Sequence, residues 1–267
     1  MELGYHVGYR ALLASDFMLP QNRKRIYILA VRANLFENTF SILDYFRRWG
    51  NNLDALKSLI GPPLPVDAFL LPESDAHVKA EIVRRKAARE TAKKAGHDGD
   101  KGDWHKKHAR FAESKFQSWP LAVPKCMSKN LWFHFRTPRE REVILAHQGK
   151  AWVDASQEIS RARETDNLCA PTVTPGQILW KYGIGNLGGR DILGRESMSL
   201  QGQPWPKLKN FDLLSEAQAA NLAGNSYAST SYMAVLMSAL FAWPDADALV
   251  RDKELQETLM LSSSLFN

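Results

Sequence analysis

A short, unbroken apolar run near the start of the chain constrains the fold most. It covers Ile26 to Val31 and follows a β-rich segment, Tyr5 to Leu13, with a polar stretch containing Pro20 between them. Continuous apolar runs of this length are typical of strands buried on both faces, as in parallel or mixed sheets with helices on either side. We therefore expect two strands here and an α/β fold.

Helical patterns dominate much of the remaining chain. The first predicted helix covers Asn34 to Ile60, with an interruption near Gly50, and a Pro-rich linker follows it. Ser74 is the predicted N-cap of the next helix, in which Glu81 and Arg85 form an i,i+4 pair. Further elements are predicted as helices at 104–116, 215–222, 231–243 and 252–261 and as strands at 172–174 and 178–180.

The net charge of +6 is concentrated in one window of the chain. Between His77 and Arg110 there are eleven Lys and Arg residues against five Asp and Glu, and outside this window the two signs balance. A local basic patch on a neutral body indicates a polyanionic partner. A solvated helix face is the alternative, and charge alone leaves both open.

Size, cysteine content and hydropathy exclude several classes of protein. The 267 residues suit one large domain, or a domain with a smaller one beside it. Two cysteines, Cys126 and Cys169, are too few for a disulfide framework or a four-thiolate zinc site, so an intracellular, reducing compartment is expected. No apolar run approaches the roughly 20 residues of a membrane helix, and no signal-peptide pattern follows Met1.

Two weaker patterns are discounted. His105 and His108 are spaced i,i+3 but have no third ligand nearby, so we expect a solvated basic helix and no metal site. Gly183-x-Gly185-x-x-Gly188 matches a dinucleotide-binding pattern, but the glycine-rich residues that follow it indicate a loop instead of the required helix.

Several separated segments follow one order. Asp16 to Ala30 contains Pro20-Gln21-Asn22-Arg23-Lys24-Arg25, and Gly194 to Pro204 contains Arg195-Glu196 and Leu200-Gln201-Gly202. Cys169 to Thr174 lies before the second of these, and Leu222 to Tyr227 follows it. In order and spacing they resemble the Pro-Gln-x-Arg-x-Arg, Pro-Thr-(Ile/Leu)-Thr, Arg-Glu…Leu-Gln-Gly-Phe-Pro and Gly-Asn-(Ala/Ser) segments in the C-terminal half of DNA (cytosine-5)-methyltransferases.

The resemblance implies a fold class and a domain plan. The fold would be α/β, with part of a Rossmann-like S-adenosylmethionine-dependent methyltransferase sheet, a mixed α+β target-recognition domain, and no N-terminal half of the catalytic domain. Residues 1–35 would supply partial catalytic-domain strands, and residues 36–194 the variable target-recognition region with a basic helical insert at 73–118. Residues 195–267 would hold the late motifs and the helices that return to the catalytic domain.

Arg23 and Arg25 are the candidate residues of the catalytic centre. Because they are two apart in an extended segment, their side chains point to the same side, and guanidinium groups suit phosphate, carboxylate or a base carbonyl. The resemblance implies that Arg25 reaches the carbonyl oxygen of an extruded cytosine, that Arg23 orders the catalytic loop, and that Gln21 braces the turn. A surface pair that closes a strand is the alternative.

The late segments are expected to bind the methyl donor and to organise the structure. By resemblance, Asn225 and Ser226 contact S-adenosylmethionine, although a plain helix cap would use the same residue types. Structural roles are implied for five further residues, Arg195, Glu196, Gln201, Gly202 and Gly224. Met18-Leu19 and Gln203 depart from the family's usual Gly-Val and Phe.

Segments that the family's reaction requires are not found in this sequence. The family's nucleophile is a Cys in a Pro-Cys segment, a Glu-Asn-Val segment holds the ring nitrogen, and a Gly-rich donor-binding loop precedes both. Here Cys126 follows Lys125, Cys169 follows Leu168, and both come after the arginine segment. We expect the isolated chain to be inactive, either as a truncated product or as half of a split enzyme whose separate partner chain supplies the nucleophile.

Two alternatives to a methyltransferase part remain open. One is a non-catalytic DNA-binding or regulatory remnant of the family, and the other is a decaying paralogue without function. For a methyltransferase part and for a DNA-binding remnant alike, the expected partner is double-stranded DNA. The expected location is the nucleus in a eukaryote and otherwise the cytoplasm or nucleoid. The expected DNA contacts are Arg84, Arg85, Lys93 and Lys94, with salt-sensitive binding.

Overall fold

A computed structural model describes residues 4–36, 39–95, 104–115, 121–162, 164–165, 169–183 and 188–243. They form a mixed α/β architecture with small sheets. The chain divides into unit 1 (Met1–Leu64, Gln201–Leu213 and Tyr227–Asn267) and unit 2 (Pro65–Leu200 and Leu214–Ser226). The predicted helix at 252–261 and the central residues of the glycine pattern at 183–188 lie outside the described residues.

The described elements follow one another along the chain with these bounds. The strands are β1 (Tyr5–Leu13), β2 (Gln21–Asn22), β3 (Lys24–Arg32), β4 (Trp152–Asp154), β5 (Glu164–Thr165), β6 (Ala170–Pro171), β7 (Leu179–Lys181) and β8 (Arg190–Asp191). The α-helices are α1 (Thr39–Leu59), α2 (Ala76–Lys94), α3 (Trp104–Lys115), α4 (Lys125–Ser128), α5 (Leu131–Phe135), α6 (Pro138–Ala146), α7 (Gly194–Leu200), α8 (Glu216–Asn225) and α9 (Ser229–Ala242). Short 3-10 helices cover Ala14–Phe17, Ala33–Leu35, Val66–Phe69, Trp205–Lys207 and Phe211–Leu213.

In unit 1 the two predicted strands are confirmed as β1 and β3, but the predicted burial of β3 on both faces is wrong. The strands pair antiparallel, from Tyr5 opposite Arg32 to Leu13 opposite Lys24. Along β3 the buried positions alternate with exposed ones, and Ile26 and Ile28 are 63% and 68% exposed. A continuous apolar run predicts a strand, but it does not determine whether one face of the sheet or both faces are buried.

Helix α1 lies against α9 within unit 1. Two polar contacts join them: the Tyr45 hydroxyl donates to the Ala239 carbonyl (3.2 Å), and the Asn52 amide donates to the Ser238 carbonyl (3.3 Å). The predicted interruption at Gly50 is wrong, because α1 runs without a break. The Arg10 guanidinium lies over Gly50, where a Cβ would displace it.

Unit 2 contains a four-stranded antiparallel sheet in the order β5-β4-β7-β8. Trp152, Val153 and Trp180 on its central strands are fully buried. The strand predicted at 178–180 is confirmed as β7, whereas the one predicted at 172–174 is wrong. There the chain enters a turn, in which the Gln177 amide N–H donates to the Thr174 carbonyl (3.3 Å).

The N-cap of helix α2 lies one residue later than predicted. Asp75, not Ser74, caps it, and the Asp75 carboxylate accepts the backbone N–H of His77 at 2.7 Å. The predicted pair of Glu81 and Arg85 is confirmed at 2.7 Å. Among the described residues no helix has the length and apolar character to cross a membrane, and no cluster of three or more His, Cys, Asp and Glu side chains is placed to hold a metal.

Candidate functional site

Parts of three of the four motif segments meet within unit 1, around the turn at Gly202. The Ser229 hydroxyl donates to the Gly202 carbonyl (2.6 Å), and the Ser229 backbone N–H donates to the carbonyl of the buried Gln201 (2.9 Å). Gly202 has a φ of +71°, and a Cβ there would collide with the Ser229 hydroxyl and approach Leu19. This position requires glycine both for its left-handed backbone and for the space around it.

The last motif segment reaches the same region through Tyr227. The Gln203 side chain, which stands where the family usually has Phe, donates to the Tyr227 carbonyl at 3.1 Å. The Tyr227 ring lies 6.1 Å from the Tyr27 ring and 6.2 Å from the Tyr232 ring, with which it stacks. Tyr227 and Tyr232 are each about half exposed, so they present aromatic surface to a ligand.

Arg23 and Arg25 stand beside these tyrosines. Arg23 is 4% exposed, and burial together with the nearby charge of Arg25 lowers its pKa to about 10, so it stays protonated at neutral pH. The half-buried Arg25 guanidinium donates to the Lys24 carbonyl (3.0 Å), the one side-chain hydrogen bond of Arg25 within the described part of the chain. A guanidinium group carries five N–H donors, so Arg25 keeps donors for a ligand.

Tyr27 lies between the arginine segment and the late motif as a neutral phenol. Burial raises the pKa of Tyr27, which opposes formation of a phenolate next to the arginines. Gln21 is fully buried. Neither the nitrogen nor the oxygen of its side-chain amide has a hydrogen-bond partner in the described part of the chain. Together, Arg23, Arg25, Tyr27, Tyr227 and Tyr232 form a cationic and aromatic cluster that we call the arginine–tyrosine site.

Two structural residues of the second motif, Arg195 and Glu196, lie in unit 2, and Glu196 belongs to a buried ion pair. Glu196 is 0% and Arg190 1% exposed, and they form two parallel bonds of 2.6 and 2.8 Å. Glu196 also accepts the backbone N–H groups of Leu71 (2.7 Å) and Leu193 (2.8 Å). These four bonds satisfy the carboxylate and tie a linker, a strand end and α7 together.

Arg195 takes part in a second pair close to the same helix. Its guanidinium forms an ion pair with Glu216 of α8, and its backbone N–H donates to the other Glu216 oxygen at 3.1 Å. Both side chains are less than a tenth exposed. Arg195 therefore fixes α7 to α8.

Asn225 and Ser226 end a helix instead of starting one. Asn225 is the exposed last residue of α8, and its side chain has no hydrogen bond to the residues that the structure describes. Ser226 is the C-cap, and its hydroxyl donates to the Ala223 carbonyl at 2.9 Å. Gly224 packs so closely against the backbone of Pro175 that a Cβ would collide with it.

The four basic residues expected to bind DNA differ in their surroundings. Arg84 and Arg85 both bond Glu81, and Arg85 also pairs with Asp191 and lies 4.8 Å above the Trp132 ring. The Arg85 side chain is only 15% exposed, and its charge is compensated inside unit 2 by Glu81 and Asp191. Lys93 and Lys94, in the last turn of α2, are exposed.

His108 is neither solvated nor part of a described metal cluster. It is 0% exposed, its Nδ1 lies 3.3 Å from a Glu142 oxygen, and its Nε2 accepts the Ile159 backbone N–H at 3.3 Å. The prediction of a solvated helix face is therefore wrong at this residue. The side chain of His105 lies outside the described residues.

Sequence reasoning missed two residues that organise these clusters. Arg190 lies among the residues predicted as a loop after the glycine pattern, although its spacing of six from Glu196 is compatible with a partner across a turn. Tyr227 is the last residue of the segment from Leu222 to Tyr227, and its motif predicts no role for it. An aromatic residue directly after Gly224-Asn225-Ser226 was the available signal.

The comparisons with known proteins match most of the chain. The family model described as C-5 cytosine-specific DNA methylase matches residues 1–236. A DNA (cytosine-5-)-methyltransferase of Cryptococcus neoformans var. grubii is 24% identical over 265 residues, which covers 90% of this chain and 11% of the relative. The chain thus spans about a tenth of the length of that curated relative. With its motif segments and this match, the chain belongs to the C-5 cytosine-specific DNA methylase family.

Proposed function

We propose that the chain is the base-holding and DNA-recognising part of a DNA cytosine-5 methyltransferase, which transfers a methyl group from S-adenosylmethionine to C5 of cytosine in DNA. The observation that carries this proposal is the convergence of three motif segments on the arginine–tyrosine site in unit 1. Residues 1–35, 36–194 and 195–267 keep their predicted contributions to the catalytic domain, the target-recognition region and the late motifs.

In this proposal Arg25 donates to the carbonyl oxygen of an extruded cytosine. Its neighbour Tyr27 lies 6.1 Å from the exposed Tyr227 ring, which supports the role, because extruded bases are held by hydrogen bonds at their edge and by stacking on aromatic side chains. Arg23 is the buried cation behind it, which positions the segment and lends positive charge near the base carbonyl. Gln21 braces the turn before them.

Asn225 and Ser226 are proposed to contact S-adenosylmethionine, which supplies the methyl group when bound. The exposed Asn225 amide can both donate and accept, and the Ser226 hydroxyl keeps acceptor capacity while it donates to Ala223. These groups fit the polar parts of the donor. They form only part of a donor site, so further contacts must come from elsewhere.

The two cysteines are poor candidates for the nucleophile, so we propose that this chain alone is inactive. A nucleophilic Cys needs a lowered pKa, whereas burial raises the pKa of the Cys169 thiol. Cys126 is exposed in the short helix α4 of unit 2 and lacks the Pro-Cys context. The thiolate would come from a partner chain or from another part of a longer polypeptide.

The uncovered face of the sheet in unit 1 supports such a partner. Tyr5, Val7, Tyr9, Ile26 and Ile28 share one face of β1 and β3, and each is at least half exposed. A two-stranded sheet is marginal by itself, and sheets of α/β proteins are covered on both faces. We propose that the nucleophile-bearing part packs here and completes a Rossmann-like sheet.

Co-expression tests the proposal directly. The chain is produced alone and together with a polypeptide that carries the family's Pro-Cys and Glu-Asn-Val segments, and each sample is assayed for methyl transfer to duplex DNA. We expect activity and a DNA-dependent cysteine adduct only in the mixed sample. Duplex binding without activity in any mixture would instead favour a DNA-binding or regulatory remnant. If the mixed sample shows neither methyl transfer nor duplex binding, the proposal is wrong.

A further inference from the structure

Helix α9 of unit 1 has two opposite apolar faces, and the described residues cover one of them. On the covered face, Ala234, Val235 and Ala239 lie in one core cluster with Tyr27 and Val31 of β3. The opposite face carries large apolar side chains at i, i+3, i+4, i+7 and i+8, each between 37% and 55% exposed: Met233, Leu236, Met237, Leu240 and Phe241. We call this face the α9 stripe.

The composition of α9 marks the α9 stripe as a contact surface. From Ser229 to Ala242 the helix contains no charged residue, whereas the solvent face of a surface helix is normally polar and charged. Exposed apolar side chains that stand singly are ordinary, but neighbouring ones on one helix face form a patch of the kind that binds another element. We therefore expect a further segment of protein against the α9 stripe.

The α9 stripe and the open face of the sheet point away from the same core cluster on different sides. In β3, Tyr27 and Val31 belong to the cluster, while Ile26 and Ile28 alternate with them and point the other way. The α9 stripe is turned away from the cluster on the helix side. A polypeptide that docks on the open sheet face therefore leaves the α9 stripe uncovered from there.

The end of α9 directs the following chain out of the helix. Trp243 is the C-cap and has an extended backbone (φ −61°, ψ 138°), as expected for a residue before Pro244. The centroid of its ring lies 5.4 Å from that of Phe36 and 5.6 Å from that of Tyr45, so this end of the helix is fixed to unit 1. The chain after Pro244 thus starts beside α9 and can turn back along it.

We propose that the predicted helix from Asp252 to Leu261, which lies outside the described residues, packs antiparallel along the α9 stripe. In such a helix Leu255 and Leu259 share one face, and Glu254 and Glu257 fall on the opposite side. Its length of about 15 Å matches the roughly 12 Å of the α9 stripe. The connection from α9 can reach about 30 Å, which exceeds the ~10 Å between the axes of packed helices.

This helical hairpin would complete the helical side of unit 1 with a segment of the same chain. The open face of the sheet would then remain as the surface for the nucleophile-bearing part. The inference concerns the packing of unit 1 and holds whether or not the proposed methyl transfer is correct.

Cysteine pairs in the full chain test the arrangement, in a background where both native cysteines are replaced by serine. Antiparallel packing brings Leu236 opposite Leu259 and Leu240 opposite Leu255. The exchanged pairs, 236 with 255 and 240 with 259, are then displaced by about 6 Å along the axis, beyond the reach of a disulfide. We expect Leu236→Cys/Leu259→Cys and Leu240→Cys/Leu255→Cys to form disulfides within one chain roughly tenfold faster than the exchanged pairs.

The exchanged pairs use the same four positions, so they control for the substitutions themselves and for disulfides formed in unfolded chains. Equal rates in all four pairs, or no disulfide in any of them, would overturn the proposal. Disulfides that join two chains would assign the α9 stripe to a second copy and would overturn it as well.

Dye binding provides a second measurement on the full chain. Leu255→Lys/Leu259→Lys should release the segment, uncover the α9 stripe and raise the fluorescence of the apolar-surface dye ANS severalfold. Glu254→Gln/Glu257→Gln changes the net charge by the same amount on the opposite face and should leave the fluorescence unchanged. Equal fluorescence of both variants and the unaltered chain would show that the segment does not cover the α9 stripe. Neither measurement uses DNA or a methyl donor, so the proposed function is tested separately.

Discussion

The sheets of the two units differ in how completely they are covered. In unit 2, Trp152, Val153 and Trp180 of the central strands are fully buried. In unit 1, Tyr9 and Ile28 lie opposite each other on a sheet face where each is 68% exposed. Unit 2 thus has a closed interior of its own, whereas the sheet of unit 1 offers a surface for further protein.

The largest expected effect is on the buried ion pair of unit 2. Glu196→Ala leaves Arg190 as an uncompensated buried charge and should cost about 4 to 5 kcal/mol of the free energy of unfolding. Urea titration followed by circular dichroism measures it. Glu73→Gln, which removes an exposed carboxylate of the same unit, serves as the control and should change stability by less than about 0.5 kcal/mol. Similar costs for both would show that the pair is not organising the unit.

Truncating matched sheet residues probes the contrast itself. Trp180→Ala should cost about 3 to 4 kcal/mol, because it leaves a cavity in a packed core. Ile28→Ala, on the exposed face, should change stability by less than about 0.5 kcal/mol. Thermal unfolding of both variants gives the comparison, and an equally large loss in Ile28→Ala would mean that the face of unit 1 is covered in the isolated chain.

A smaller effect is expected at Tyr182, whose hydroxyl donates to the Ile144 carbonyl at 2.6 Å. Burial raises the pKa of Tyr182 well above 10, so the unfolded chain loses this proton first and stability falls as pH rises above about 10. Tyr182→Phe should cost about 1 kcal/mol at pH 7 and remove this part of the alkaline loss. Urea unfolding at pH 7 and at about pH 10.5 measures both, and an identical alkaline loss in the variant would contradict it.

The smallest effect on stability is expected on the open face of unit 1. Tyr9→Lys/Ile28→Lys should shift stability by less than about 0.5 kcal/mol in the isolated chain. The same change should abolish association with the nucleophile-bearing polypeptide, because it places charges in an apolar contact. Leu213→Lys, at a position 82% exposed in the same unit, is the matched control for co-purification. If the double variant still associates with the nucleophile-bearing polypeptide, this face of unit 1 is not the docking surface.

The sequence predicted the kinds of elements better than their surroundings. Strands β1 and β3 and helices α8 and α9 follow from periodicity and turn signals, because these patterns are local. The exposure of Ile28 and the burial of His108 depend on which layers lie nearby, and no local pattern contains that information. Gly50 marks the same limit, since α1 runs through it without a break although glycine is a common helix terminator.

For the candidate site, motif order predicted which segments to compare, and packing decides which of their residues meet. Arg23 and Arg25 were identifiable from their segment. The contact of the segment with Tyr227 was not, because it depends on the turn at Gly202 and the bond from Ser229. Arg85 shows the opposite case, where a cation expected to face DNA is already held by Glu81 and Asp191.

Gly8, in the middle of β1, has a consequence for how the hairpin of unit 1 aligns. A Cβ at this residue would lie 2.6 Å from the Phe46 ring, so the aromatic ring rests directly on the strand backbone. If β1 slipped by one residue, Val7 or Tyr9 would be forced beneath Phe46, and every side chain would exchange faces. Gly8 and Phe46 therefore act as a register lock, which keeps the apolar face available even before any partner covers it.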